Sequence, residues 1–137
     1  MKAIFADSFY WVALTNPADP YNALVTARTP EIAHLRIVTT DSVLTEFLTF
    51  FSRDLTLRKR AEQTVRTVFH HPNIEAISES RSTFLSGLEL YASRPDKRYS
   101  LTDCISMQTM RREGITDVLT NDRHFEQEGF HALFRDL

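Results

Sequence analysis

The stretch that most restricts the fold is the short apolar run near the start of the chain, Lys2-Ala3-Ile4-Phe5-Ala6, which is stopped by Asp7. A continuous apolar run without polar alternation is the pattern of a strand buried on both faces of a parallel sheet. The rest of the sequence alternates helical stretches with further short apolar strands, the arrangement of an α/β domain with a mainly parallel sheet. Ser8 to Thr15 reads as a short, almost wholly apolar helix. Asn16-Pro17-Ala18-Asp19-Pro20 is a turn, with Asp19 placed to cap a second helix whose first residue is Pro20. Pro30 is expected to kink or end that helix before a strand from Arg36 to Thr39. Asp41 is the expected cap of a helix running to about Arg53, and Thr56 to His71 reads as a helix stopped by Pro72. A strand over Asn73 to Ser78 and a helix over Arg81 to Arg94 follow. Leu101 to Glu113 is a helix ended by Gly114, where a left-handed cap is needed. Asp117 to Thr120 is a strand, Asn121 to Glu128 a loop or single turn, and Phe130 to Phe134 a last strand.

The 137 residues fit one domain, 1–137, large enough to bury one core. Hydrophobic residues at 42% and charged residues at 25% exclude a disordered or fibrous chain. The lone Cys104 cannot form an intramolecular disulfide, and its apolar helical setting suits a buried structural thiol. Asp7 interrupts the N-terminal apolar run before a signal peptide could develop, and Phe9 to Leu14 is too short to span a bilayer. We therefore expect a cytoplasmic protein with no membrane association. The net charge of -2 offers no overall attraction to nucleic acid, so binding would need a local basic strip or metal ions.

Four acids stand in related places. Asp7 and Asp122 fall just past strand ends, while Glu46 and Asp103 lie early in apolar helices. In open α/β sheets a ligand site lies beyond the carboxyl ends of the strands, so all four can reach one crevice. Each also has an ordinary structural explanation. Asp7 can cap the helix at Ser8, Glu46 can face solvent, Asp103 completes the S-x-x-D capping box of Ser100-Leu101-Thr102-Asp103, and Asp122 can serve a turn. If the four converge, they form an oxygen-rich set that favours Mg2+ or Mn2+ over zinc and suits phosphodiester hydrolysis.

The order and setting of these residues resemble the PIN-domain family, in particular the VapC-type toxins of toxin–antitoxin pairs, over nearly the full length. The matching segments are Ile4-Phe5-Ala6-Asp7-Ser8, Thr40 to Glu46, Ser100 to Asp103 and, most specific, Thr120-Asn121-Asp122-Arg123-His124-Phe125. One departure is Asn22, where many relatives carry a His, and it receives no catalytic role. The resemblance implies a PIN-like three-layer sandwich with a mainly parallel central sheet flanked by helices. It also implies a Mg2+- or Mn2+-dependent endoribonuclease, the toxin of a type II pair, neutralised by a small antitoxin and commonly homodimeric.

On that basis Asp7, Glu46, Asp103 and Asp122 are the expected catalytic and metal-holding residues, with Asp7 and Asp103 the principal ligands. Ser8, Thr120 and Asn121 are placed to hydrogen-bond the carboxylates or their waters. Arg53, Arg58 and Lys59, within a basic strip that also includes Arg60 and Arg66, could follow an RNA backbone or simply face solvent. Arg123 and His124, beside Asp122, are better placed to meet the scissile phosphate. Phe9, Tyr10 and Trp11 suit core or subunit contacts better than base stacking. Helices Ser8 to Thr15 and Asp41 to Arg53 carry a surplus of large apolar residues, which suggests interfaces with an antitoxin or a second copy.

Two other functions bear comparison. An aspartyl phosphotransferase needs a second Asp two positions after the first, where this chain has Phe9. A catalytically silent PIN-fold module would bind RNA, metal or a protein partner without turnover.

Overall fold

The computed structural model describes residues 2–135. Its centre is β1, Ala3–Ala6, in which Ile4, Phe5 and Ala6 are all buried. This is the two-sided burial that an unbroken apolar run demands. Beside it lie β2 (Arg36–Thr40), β3 (Ile74–Ile77), β4 (Asp117–Leu119) and β5 (His131–Ala132), in the order β3-β2-β1-β4-β5. Every pair is parallel, with Phe5 opposite Val38 on one side and Val118 on the other.

The helices that carry the crossovers are α1 (Ser8–Thr15), α2 (Asn22–Ile32), α3 (Asp41–Phe50), α4 (Leu55–His70), α5 (Arg81–Ser93), α6 (Leu101–Glu113) and the short α7 (Arg123–Gln127). They flank the sheet, as buried parallel strands require. Strands β2 and β3 lie to one side of β1 and β4 and β5 to the other, so the connections diverge between β1 and β4. That reversal is where a crevice opens in folds of this kind.

Several local expectations hold for the reasons given. Helix α6 starts with a complete Ser100–Asp103 capping box and stops at Gly114, which adopts φ 69°. Cys104 is fully buried, and burial pushes its thiol up to about 11, so it is inert at neutral pH. Tyr10 and Trp11 lie in the core and are not laid open for base stacking, while the half-buried Phe9 packs on Tyr21 and Phe134.

Others need correction. Pro30 does not end α2, which continues two residues further to Ile32 although Pro30 has no N–H to give the helix ladder. Asp19 does not cap α2; it forms a local turn by accepting from the Tyr21 amide at 2.8 Å, and the helix begins only at Asn22. The cap of α3 is Thr40 rather than Asp41, and α3 ends at Phe50 before Arg53. The stretch after β4 contains a true short helix, α7, and the last strand shrinks to two residues.

The apolar surplus falls on α3 as expected, with Leu48 and Phe50 exposed, but not on α1, and α5 carries more of it. Most of α1 is buried, whereas Phe50 on α3, Leu55 on α4 and Phe84, Leu85, Leu88 and Tyr91 on α5 are exposed. Helices α5 and α6 approach closely at Gly87: an added Cβ there would fall 2.4 Å from Cγ1 of Ile105. Among the described residues no helix is long and apolar enough to cross a membrane.

Candidate active site

Asp7 occupies the N-cap position of α1, yet its side chain makes no capping hydrogen bond. The carboxylate instead points to the crevice between β1 and β4. The Thr120 hydroxyl donates to its Oδ2 at 2.9 Å, while Oδ1 is buried without a hydrogen-bond partner. With the residue only 5% exposed, an ionised carboxyl here is poorly solvated. Burial first, then the nearby Asp103 and Glu46 carboxylates, push its pKa up to about 7 against the opposing Thr120 bond.

Thr120, itself fully buried at the end of β4, is used twice. Its Oγ1 also accepts from the Asp122 amide at 3.2 Å, so one hydroxyl fixes both acids of the strand pair. The Asp122 side chain caps α7 by accepting from the His124 amide at 2.9 Å. Asp103 likewise both caps and faces the crevice. Its amide donates to Ser100 Oγ at 3.0 Å, and its Oδ2 accepts from the Ser100 amide at 3.2 Å. Burial, then Asp122 and Glu46, raise the Asp103 pKa, opposed by Ser100 and His124. Glu46 comes in from α3, where the Ser8 hydroxyl donates to its Oε1. Buried Val43, Leu44 and Phe47 hold that helix against the core and leave Glu46 at the crevice.

The four acids therefore line one hollow of about 500 Å³ together with Ser8, Ser100, Thr120, Asn121 and a rim that includes Phe9, Tyr21 and Phe50. The helix-cap explanations account for the backbone roles of Asp103 and Asp122 and still leave both on the hollow. The solvent-facing explanation of Glu46 does not describe it, since it is half-buried and hydrogen-bonded.

The basic residues are arranged differently. Arg123 is exposed at the start of α7 and does not line the hollow. His124 turns its ring behind the acids, where Nδ1 lies 3.5 Å from Asp103 Oδ2 and 3.5 Å from Asp122 Oδ1, rather than into the mouth to meet a phosphate. Because α3 stops short and the chain turns into α4, Arg58 and Lys59 line a separate depression with Leu48, Leu55 and Glu62. Arg53 is exposed in that turn and is not part of the hollow, and Arg66 is paired with Glu62 at 2.8 Å. The sequence did not single out Tyr21 or Phe50 as rim residues or Tyr99 as a neighbour of His124. Only the fold brings them there.

A divalent cation fits these residues. Ligand atoms of Asp103, Asp122 and His124 lie within 4.8 Å of one another. Of the buried side-chain polar atoms without a hydrogen-bond partner among the described residues, His124 Nδ1 belongs to this cluster and Asp7 Oδ1 to a residue that lines the same hollow as Asp103 and Asp122. The oxygen-rich donor set suits a hard ion such as Mg2+ or Mn2+.

An all-parallel sheet with acids from four separate segments over its switch point defines a class of α/β domain, and sequence comparison places the chain within it. The PIN domain model matches residues 4–130, and the chain belongs to the PIN-domain family. Several solved structures share the fold. One is VapC20 of Mycobacterium tuberculosis, described as a sarcin–ricin loop cleaving toxin, with a TM-score of 0.80 and 23% identity over 93% of this chain and 95% of that one. Another is FitAcB from Neisseria gonorrhoeae, with a TM-score of 0.63 and 15% identity over 94% of this chain and 95% of that one. A search of curated protein sequences finds no match.

Proposed function

We propose that this chain is a divalent-metal-dependent endoribonuclease and the toxin of a toxin–antitoxin pair. The observation that carries the reading is the buried Asp7 carboxylate, with one oxygen unpartnered and the carboxylates of Glu46, Asp103, Asp122 and Asp19 around the same hollow. Family membership and the resemblance in fold to a toxin that cleaves RNA support it.

Asp7 and Asp103 would hold Mg2+ or Mn2+, with Glu46 and Asp122 ligating directly or through water. When bound, the ion supplies Lewis acidity at a phosphodiester oxygen and lowers the pKa of water for in-line attack. The protein's part is to hold these oxygens in place beforehand. Thr120 orients Asp7 and ties it to Asp122, Ser100 holds Asp103, and Ser8 holds Glu46. Asn121, on the wall of the hollow, is positioned to bond a water or a substrate oxygen. Arg123, free of the hollow, could meet the phosphate backbone outside it.

A small antitoxin is the partner we assign to the apolar groove between α1, α2 and α4, whose accessible apolar lining is Leu14, Ala33, Leu35 and Ile74 above a floor of buried core residues. A second copy of the chain would cover the exposed apolar residues of α5. A monomer by sedimentation at micromolar concentration would exclude the homodimer.

The test of the activity is cleavage of RNA by the purified chain with Mn2+. Cleavage should vanish with chelator and in Asp103→Asn. Cleavage that persists under either condition defeats the mechanism, and metal binding without cleavage identifies the silent module instead.

A further inference from the structure

Behind the hollow lies a second buried carboxylate. Glu128, whose side chain is 5% exposed, accepts from Arg94 Nε at 3.0 Å and from Arg111 at 2.9 Å. The Tyr99 hydroxyl donates to the same group at 3.0 Å. Tyr99 is itself buried, and Arg98 before it adopts a left-handed φ of 61°, a conformation that a non-glycine residue holds only when its surroundings enforce it. The Tyr99 ring lies against the His124 ring, with centroids 5.1 Å apart. His124 in turn binds Asp122 Oδ1 through its amide and sets Nδ1 beside Asp103 Oδ2. One oxygen of each acid is thus held by a backbone amide, Asp122 Oδ1 by that of His124 and Asp103 Oδ2 by that of Ser100, while the His124 ring stands beside both without a hydrogen bond. The partner oxygens, Asp103 Oδ1 and Asp122 Oδ2, receive no hydrogen bond from the described residues.

We propose that Tyr99, anchored by the Glu128–Arg94–Arg111 cluster, is a positioning residue that acts through His124 to fix Asp103 and Asp122 for the cation. This rests on the metal-dependent reading above and adds residues to it. The cluster does not touch the hollow. Its effect is to remove freedom from the imidazole, which has two carboxylates on one side and an aromatic wall on the other. Groups that orient ligands in this way typically change metal affinity by about 10–100-fold when removed.

The experiment measures Mn2+ affinity by calorimetry, without RNA, for the wild type, His124→Ala, Tyr99→Leu, the double variant and Tyr99→Phe. His124→Ala and Tyr99→Leu should each weaken binding about tenfold. If Tyr99 works through His124, the double variant should be no more than about twofold weaker than His124→Ala alone, because effects on one pathway do not add. Tyr99→Phe, which keeps the ring, should recover most of the affinity lost in Tyr99→Leu.

Multiplying losses in the double variant, wild-type affinity in Tyr99→Leu, or no recovery in a folded Tyr99→Phe would each overturn the proposal. If Tyr99→Leu does not fold, Mg2+ titration of the unaltered chain followed by NMR replaces it. The Tyr99 and His124 ring resonances should then shift with one midpoint, and an unmoved Tyr99 overturns the idea. Because no RNA is present, a chain that binds Mn2+ but cuts nothing defeats the nuclease reading while the coupling is still measured.

Discussion

Two buried carboxylates, Glu128 behind the hollow and Asp7 within it, are held under opposite terms. At Glu128 burial pulls the pKa up, but Arg111, Arg94 and Tyr99 outweigh it and hold the carboxyl below its usual range. At Asp7 nothing cationic offsets burial, and neighbouring acids add to it, so the pKa rises to about 7. The chain thus supplies counter-charge where a buried acid serves the scaffold and withholds it at the hollow. What the contrast teaches is that the positive charge at the hollow is meant to arrive from outside.

The largest effect that could break this contrast concerns activity. Asp103→Asn should lower the RNA cleavage rate by about 100-fold or more, the scale on which one electrostatic stabiliser of a transition state acts. A variant that retains even a tenth of the rate would separate the hollow from the chemistry. Glu128→Ala should instead act on stability. Leaving two arginines without their shared acid should destabilise the fold by about 1–3 kcal/mol, discounted for the partial exposure of both arginines. Urea unfolding measures it.

Asp7→Asn should have the opposite sign. The folded pKa of Asp7 lies above its ordinary value of 3.8, so its contribution favours the fold fully below that pH and is lost as pH rises through about 7. Chelated protein should therefore be less stable at pH 8 than at pH 5 by on the order of 1–3 kcal/mol. Asp7→Asn should flatten that slope and stabilise the chelated protein at pH 8. Equal stability of the wild type at the two pH values would remove the distinction drawn between the two acids.

Mn2+ at 100 times its dissociation constant should add about 2.7 kcal/mol, a rise of roughly 7–11 °C in Tm, which is absent in Asp103→Asn. The smallest effect is expected at the depression on α4. Arg58→Ala should change cleavage by less than about threefold, the range of a solvent-exposed phosphate contact or none. A larger loss would bring that strip back into the substrate path.

Much of the site was legible because its signals are local. The strand that Asp7 closes, the capping box at Ser100–Asp103 and the Gly114 stop each depend on a few adjacent residues, and α1 and α6 begin and end where such signals place them. What could not be read depends on contacts distant in sequence. Thr120 reaches back 113 residues to Asp7, and Glu128 gathers Arg94, Tyr99 and Arg111 from two other segments. The place of the basic strip after Glu46 was hidden for the same reason. Its charges are close in sequence to an acid of the hollow, but the turn after Phe50 directs them to another surface. Pro30 shows that a strong local signal can also be overridden, since α2 runs past it to Ile32.

The tight approach of α5 to α6 at Gly87 has a genetic consequence. Ile105, which a methyl group at position 87 would strike, stands two residues from Asp103, so even Gly87→Ala would displace a backbone that has no slack. Cells selected for surviving expression of this chain should yield lesions at that glycine beside those at the acids themselves.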